Sequence, residues 1–189
     1  MLEHLSEKFA GKLIQAGIIS KEDTDVYVYG FFQAAMMFFN IVTTLILGIL
    51  FQLLISCILL NLAYIPIRIS AGGHHADSPL KCYINSTLMI AFLLAIIKWI
   101  PIHPIVSIAL LATSSFVIFV LAPVGTRNNP LDEVERRIFK RRTRIILYVE
   151  IAVFTCLLFF GENQIAGTIA LGVFTEGLML LIGYVKNKN

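Results

Sequence analysis

The sequence predicts an all-α, polytopic integral membrane protein with six transmembrane helices, an N-terminal amphipathic interfacial helix and both termini in the cytoplasm. Two observations lead to this prediction. Of the 189 residues, 58% are hydrophobic, against about 45–50% in a typical soluble domain. The mean hydropathy is +0.83, and the apolar residues form long runs between short polar segments. No linker divides the chain, so we expect a single membrane-embedded domain over residues 1–189.

Residues 1–20 form the predicted amphipathic helix. They lack the apolar core of a signal peptide, and their apolar residues recur at helical spacing: Leu2, Leu5, Phe9, Leu13 and Ala16. We expect this helix to lie in the membrane interface, with packing on the protein's own loops as the alternative. Ser20 and the acidic residues that follow it predict the start of the next helix.

Six apolar segments are predicted to span the bilayer. Residues 26–67 contain no Lys, Arg, Asp or Glu. As one helix they would rise about 63 Å, twice the hydrocarbon thickness of a bilayer, so we divide them at a turn near Gly48–Gln52. Prolines or polar residues separate the remaining spans. The predicted spans cover residues 26–47, 50–67, 79–100, 105–122, 145–160 and 165–185.

Lys and Arg residues set the predicted orientation, because cytoplasmic segments of membrane proteins carry an excess of them. With the N-terminus inside, 14 of the 15 Lys and Arg residues fall on the cytoplasmic side and only Lys98 falls outside. The segment between the second and third spans is then cytoplasmic, where thiols stay reduced. The basic run Arg136–Arg144 is expected to anchor the protein on anionic lipid, with recognition of a peptide as the alternative.

Residues 72–82 are the one place where imidazole, thiol and carboxylate groups crowd together: Gly-Gly-His-His-Ala-Asp-Ser-Pro-Leu-Lys-Cys. Ser78 and Pro79 predict a helix start, with Ser as the N-cap and Pro at the first helical position. Cys82 then lies in the first turn of the third span. The helix N-terminus and Lys81 favour a thiolate, which is the nucleophilic form of cysteine.

The general base for this thiol would be His74 or His75, and their spacing favours neither. In one continuous helix, His75 and Cys82 would lie about 10 Å apart along the axis, too far for proton transfer. The two glycines predict a loop that folds back instead. One alternative is a loop without chemistry, and another is a metal site with His74, His75, Asp77 and Cys82 as ligands. That spacing fits no familiar metal site, so we expect no metal ion and no cofactor.

Several residues around this segment occur in the same order in the AgrB (accessory gene regulator B) family, which the chain resembles: Arg68, Gly73, His75-Ala76, Ser78 and Cys82. Two later segments also resemble the family's exit from the fourth span: Ala122-Pro123-Val124 and Asn129-Pro130-Leu131. The chain departs from the family pattern at Asn129, where many members have Lys, and in the additional His74.

The resemblance implies a membrane cysteine endopeptidase of Gram-positive bacteria that processes a precursor peptide, AgrD, into a cyclic quorum-sensing signal. It assigns the catalytic pair to a His and a Cys seven residues later, here His75 and Cys82. His75 takes the proton of Cys82, and the thiolate displaces the precursor's C-terminal tail to form a thioester. An internal Cys or Ser of the precursor then closes a thiolactone or lactone ring.

The partners implied by the resemblance are an AgrD-like precursor peptide, the lipid bilayer and a second copy of the chain in a homodimer, with no nucleic acid. The implied location is the bacterial cell membrane, with the active site on the cytoplasmic side. Substrate-binding or supporting roles are expected for six further residues: Arg68, Gly73, Asp77, Ser78, Lys81 and Glu176.

Glu176 is singled out because a carboxylate in the middle of a span is costly and is a functional candidate by default. We expect it to hydrogen-bond an amide of the bundle interior: Gln33, Asn40 or Asn61. Cys57 and Cys156 are expected to be small buried hydrophobic residues.

Two other classes of function remain as alternatives. A small transporter or channel would use Glu176 together with the intramembrane amides, and its transport would survive loss of Cys82. The spans lack the matched, glycine-interrupted halves that are typical of transporters. A non-enzymatic membrane adaptor would dock its partners through the basic run and would form no covalent intermediate.

Overall fold

The computed structural model describes residues 2–73, 78–125 and 131–188, and within these ranges the chain is helical without any strand. The helices are α1 (Leu2–Gln15), α2 (Thr24–Leu50), α3 (Leu54–Ala71), α4 (Pro79–Trp99), α5 (Pro104–Leu121), α6 (Glu133–Phe159) and α7 (Asn163–Lys188). The all-α prediction is confirmed for this part of the chain.

Five of these helices are long and apolar enough to cross a membrane, namely α2, α3, α4, α5 and α7. Large apolar side chains are exposed on their outer faces, among them Ile55 on α3 and Phe116 on α5. Such extensive exposed apolar surface is atypical of a soluble monomer and marks a contact with lipid or another apolar partner. The helices therefore fit a multi-pass membrane protein.

α6 is longer than the predicted span over residues 145–160, because it also contains the basic run Arg136–Arg144. One helix runs from Glu133 to Phe159 without a break. A capping box starts it, in which the Asp132 side chain accepts from the Glu135 N–H at 2.6 Å. The helix continues because Arg and Lys are good helix formers. Its apolar part after Arg144 rises only about 22 Å, so the predicted span over residues 145–160 stays a prediction.

α7 lies at the centre of the bundle, where 67% of its apolar stretch is buried. It packs mainly on α5 and α3, and glycines permit the close approach. A Cβ atom on Gly172 would lie 2.8 Å from the Cβ of Ala63, and one on Gly177 would lie 3.0 Å from the Cβ of Ser114. Small residues at helix crossings are typical of membrane bundles. Side chains in the middle of α7 must therefore find their partners inside the protein.

The two ends of α2 are close to their predicted positions. A turn at residues 51–53 joins it to α3 and overlaps the predicted turn at Gly48–Gln52. At the other end, the helix begins at Thr24 rather than directly after Ser20. Ser20 instead forms a separate turn, in which its hydroxyl donates to the Asp23 carboxylate at 2.7 Å.

α1 packs against α2, with the rings of Phe9 and Phe31 5.8 Å apart. Its position in the membrane interface stays a prediction. The buried environment expected for the two remaining cysteines is confirmed for Cys57, whose thiol donates to the Thr44 carbonyl at 3.0 Å. It is wrong for Cys156, which lies exposed on α6 because that face of the helix has no neighbour within the described residues.

Candidate active site

Cys82 lies in the first turn of α4 as a free, partly exposed thiol. Ser78 is the N-cap, since its hydroxyl accepts a hydrogen bond from the Lys81 N–H at 3.3 Å, and Pro79 is the first helical residue. The Cys82 N–H donates to the Ser78 carbonyl at 3.0 Å. The helix start predicted from Ser-Pro is thus confirmed. It sets the position of the thiol one turn into the helix.

The next residue ties this turn to a neighbouring helix. The hydroxyl groups of Tyr83 and Thr43, on α4 and α2, are hydrogen-bonded to each other. Lys81, by contrast, is exposed. The start of α4 is therefore held both by its own cap and by α2.

A cavity of about 50 Å³ opens beside the thiol, between α3, α4 and α7. Its lining combines a guanidinium, an amide, two kinds of hydroxyl and two thioethers, from Tyr64, Arg68, Cys82, Asn85, Ser86, Met89 and Met179. Asn85 and Ser86 follow Cys82 by three and four residues, so they lie on the same face of α4. A carbonyl group bound next to the thiol would find hydrogen-bond donors on several sides.

Arg68 connects this cavity to the rest of the bundle. Its side chain is 14% exposed, so it does not extend freely to the membrane surface. Nη1 donates to the Gly72 carbonyl at 2.9 Å and lies 3.9 Å from Oε1 of Glu176 on α7. One guanidinium thus reaches the end of α3, the central helix and the wall of the cavity.

The chain leaves α3 through two glycines in left-handed conformations, with φ of +77° at Gly72 and +119° at Gly73. Side chains would not fit there. A Cβ on Gly72 would overlap the carbonyl oxygen of Val124, and one on Gly73 would lie 2.5 Å from Nη1 of Arg68 and 3.1 Å from the carbonyl oxygen of Met179. Both the backbone angle and the available space therefore require glycine.

Val124, three residues after the end of α5, contacts the chain where it leaves α3. Its N–H donates to the Ala71 carbonyl at 2.9 Å, and it forms a parallel bridge with Gly72. The two sequence segments that carry the resemblance, one after α3 and one after α5, are thus in contact.

His74, His75, Ala76 and Asp77 lie outside the described residues. The choice between the two histidines, the folded-back loop and the role of Asp77 stay predictions, as does the metal alternative that used these side chains. Within the described parts of the chain, no group of three or more His, Cys, Asp or Glu residues is arranged to hold a metal ion. The structure does place both ends of the segment, with Gly73 against α7 and Ser78 one turn before Cys82.

Glu176 is completely buried, and its predicted hydrogen bond to an intramembrane amide is wrong. Among the described residues neither carboxylate oxygen has a hydrogen-bond partner, and the charge it approaches is that of Arg68. Asn61, one of the predicted partners, donates to the Cys57 carbonyl at 2.8 Å instead. The physical reason is helix packing, because α7 turns this face toward the end of α3.

Sequence analysis missed most of the cavity lining. The missed residues lie at helical spacing from the identified ones: Tyr64 precedes Arg68 by four, Asn85, Ser86 and Met89 follow Cys82 by three, four and seven, and Met179 follows Glu176 by three. That spacing places each on the face of a residue already identified. These residues could have been found from the sequence by taking the positions at helical spacing from Arg68, Cys82 and Glu176.

The chain is similar in sequence to known proteins over most of its length. The family model of accessory gene regulator B (AgrB) matches residues 6–180. An AgrB-like protein of Clostridium perfringens (strain 13 / Type A) is 23% identical over 173 residues, which cover 86% of this chain and 81% of the relative. No solved structure matches the chain.

Two Staphylococcus aureus relatives carry the name accessory gene regulator protein B. The one from strain Newman is 32% identical over 127 residues, covering 67% of this chain and 65% of the relative. The one from strain JH9 is 26% identical over 147 residues, covering 76% and 75%. Since the family model extends over most of the sequence, including α3, Cys82 and α7, the chain belongs to the accessory gene regulator B family, with a role in the agr quorum-sensing system.

Proposed function

We propose that this protein is a membrane cysteine endopeptidase that removes the C-terminal tail of an AgrD-like precursor and supports cyclisation of the remaining peptide. One observation carries the proposal. The free thiol of Cys82 lines the same cavity as the Arg68 guanidinium, directly after the segment that contains both histidines. A nucleophile and hydrogen-bond donors are thereby gathered at one end of α4, and the two candidate bases precede Cys82 by seven and eight residues in the sequence.

In the proposed first step, His75 takes the proton of Cys82 and the thiolate attacks the scissile carbonyl. The carbon–nitrogen bond breaks, the tail leaves as an amine that receives the proton from His75, and the precursor remains as a thioester on Cys82. Arg68, Asn85 and Ser86 line the cavity. They are suited to donate hydrogen bonds to the oxyanion that develops in this step.

In the second step, an internal thiol or hydroxyl of the precursor attacks the thioester carbonyl. The carbon–sulfur bond to Cys82 breaks, the thiolate regains a proton through His75, and a thiolactone or lactone is released. Water would divert the thioester to a linear acid, so it must be excluded. The apolar side chains of Met89 and Met179 line the cavity and would help to keep water from the thioester.

The proposed topology has six spans, with α6 as the fifth, and places both termini and the active site on the cytoplasmic side. Five exposed basic residues lie on the first half of α6: Arg136, Arg137, Lys140, Arg141 and Arg142. At that position they would meet anionic lipid or an acidic segment of the precursor. α1 would lie in the interface, and the protein would work as a homodimer, as its resemblance to the family implies.

The decisive experiment is intact-mass analysis of the protein in lipid nanodiscs after it is mixed with its cognate precursor. Wild type should gain the mass of the precursor without its tail. The adduct should be absent in Cys82→Ala and much slower to form in His75→Ala. Cys156→Ala is the matched control, since this cysteine is exposed on α6, and it should form the adduct normally.

Two outcomes would change the proposal. If His74→Ala rather than His75→Ala abolished the adduct, the base would be His74 and the chemistry would stand. If wild type bound the precursor but formed no adduct, the peptidase proposal would be wrong, and a non-enzymatic adaptor or a small transporter would take its place.

A further inference from the structure

Glu176 has no part in the mechanism proposed above, yet it is the one charged side chain among the described residues that is buried in the core. A fully buried carboxylate is rare in proteins unless it is paired, and in a spanning helix it is costly. Its charged neighbour is Arg68, with Nη1 at 3.9 Å from Oε1. The same Nη1 donates to the Gly72 carbonyl.

The face of α7 that carries Glu176 also lies against Gly73, the residue that follows Gly72. Met179 and Leu180 follow Glu176 by three and four residues, so they share its face. A Cβ on Gly73 would lie 3.1 Å from the carbonyl oxygen of Met179 and 3.3 Å from the Cα of Leu180. The end of α3 and the residues that follow it therefore contact α7 at two adjacent points, the Arg68–Glu176 pair and Gly73.

We propose that Glu176 is a positioning residue, which acts through Arg68 to fix the start of the histidine segment relative to Cys82. The carboxylate holds the guanidinium in place, and the guanidinium holds the Gly72 carbonyl. Glu176 itself does not line the cavity, so it touches neither the thiol nor the substrate. This inference rests on the proposed function, because it concerns the alignment of the proposed base and nucleophile.

The consequence of breaking the pair follows from electrostatics. Without the Glu176 carboxylate, Arg68 keeps its charge inside an apolar bundle and loses the negative charge that faces it from α7. It then gains by turning toward solvent or toward the thiolate of Cys82, and either movement releases the Gly72 carbonyl. Because Glu176 acts only through Arg68, loss of the carboxylate should matter only while Arg68 is present.

The test measures single-turnover formation of the thioester adduct at saturating precursor, and precursor affinity separately. Glu176→Gln should slow adduct formation about tenfold or more and leave the Kd within about twofold. Arg68→Met should slow it further, and adding Glu176→Gln to Arg68→Met should cause no additional loss beyond about twofold. Glu176→Asp keeps the charge and changes the shape, so it should be faster than Glu176→Gln, which keeps the shape and removes the charge.

Thr175→Val is the matched control in the same helix. Thr175 is buried, and its hydroxyl donates to the Leu171 carbonyl of α7 at 2.7 Å. Thr175→Val should form the thioester adduct at a rate within about twofold of wild type. Thermal unfolding of each variant identifies any that fail to fold.

A readout independent of the reaction is hydrogen–deuterium exchange at Val124, whose N–H donates to the Ala71 carbonyl beside Gly72. Exchange there should increase in Glu176→Gln and not in Thr175→Val. The inference is overturned if exchange at Val124 is unchanged in Glu176→Gln or if Glu176→Gln forms the adduct at the wild-type rate. It is also overturned if the loss of rate in the double variant of Glu176→Gln and Arg68→Met is the product of the two separate losses. Absence of the adduct in wild type would overturn the proposed function instead, and the exchange measurement would still decide the role of Glu176.

Discussion

Arg68 and Cys82 line one cavity, although they lie on different helices and a segment with two glycines and two histidines separates them. Arg68 is near the end of α3, and Cys82 is in the first turn of α4. The antiparallel return of the chain brings the two helix ends together. Arg68 is also held to Gly72, so the geometry of the chain reversal and the lining of the cavity depend on the same side chain.

The first prediction concerns Gly73, which has φ +119° and no room for a Cβ beside Arg68 and Met179. Gly73→Ala should introduce strain of about 1–3 kcal/mol and displace the guanidinium. We expect thioester formation to slow by about tenfold or more, since positioning errors in a site are costly in rate. Intact-mass kinetics with the precursor measure the effect.

Gly17→Ala is the control for this substitution. Gly17 also has a positive φ, +70°, but a Cβ added there would meet no atom within 4 Å. The variant should lose stability through backbone strain and keep the wild-type rate of thioester formation. Equal loss of rate in both variants would show that Gly73 has no particular relation to the site.

The second prediction concerns the cap of α4. Ser78→Ala removes the acceptor for the Lys81 N–H and should destabilise the first turn by about 0.5–2 kcal/mol. Because Cys82 lies in that turn, thioester formation should slow while precursor affinity stays the same. Ser78→Asp restores a side-chain acceptor and should recover most of the rate. A slow Ser78→Asp variant would indicate that the hydroxyl has a role other than capping.

A feature of this site can be predicted from the sequence when adjacent residues determine it. A feature that depends on a contact between residues distant in the sequence cannot. The start of α4 is encoded by adjacent residues, Ser78 and Pro79, and its prediction is confirmed. The partner of Glu176 is Arg68, which is distant in the sequence, and their proximity depends on which face of α7 packs against α3. No local pattern contains that information, so the predicted amide partners are wrong.

The error at α6 has a different origin. Sequence analysis places a boundary where the charged residues end, near Arg144, because it takes a change from polar to apolar residues as a change from loop to span. The backbone has no reason to stop there, since neither Gly nor Pro interrupts the segment from Glu133 to Phe159. Polarity marks where a helix can meet a membrane, whereas capping and helix-breaking residues mark where it begins and ends.

The third prediction concerns Asn85, which lies on the face of α4 that carries Cys82 and lines the cavity. If its amide donates to the developing oxyanion, Asn85→Leu should slow thioester formation about tenfold or more with little change in precursor affinity. Met89→Leu, in the same cavity wall, conserves volume and should be tolerated. An Asn85→Leu variant with weaker binding and a normal rate at saturation would assign Asn85 to substrate binding instead.

The last prediction concerns the crossing of α3 and α7. A Cβ on Gly172 would lie 2.8 Å from the Cβ of Ala63 and 3.2 Å from the Leu60 carbonyl oxygen, so Gly172→Ala must separate the helices at a cost of about 1–3 kcal/mol. Gly172 lies one turn before Glu176, and the separation should lengthen the contact between Glu176 and Arg68. We therefore expect Gly172→Ala to lower the unfolding temperature and to slow thioester formation together.

Gly30→Ala is the control for this substitution, because nothing lies within 4 Å of that position on α2 and the substitution should favour the helix by about 0.5–1 kcal/mol. If Gly172→Ala lost stability but reacted at the wild-type rate, the distance between α3 and α7 at this crossing would not control the site.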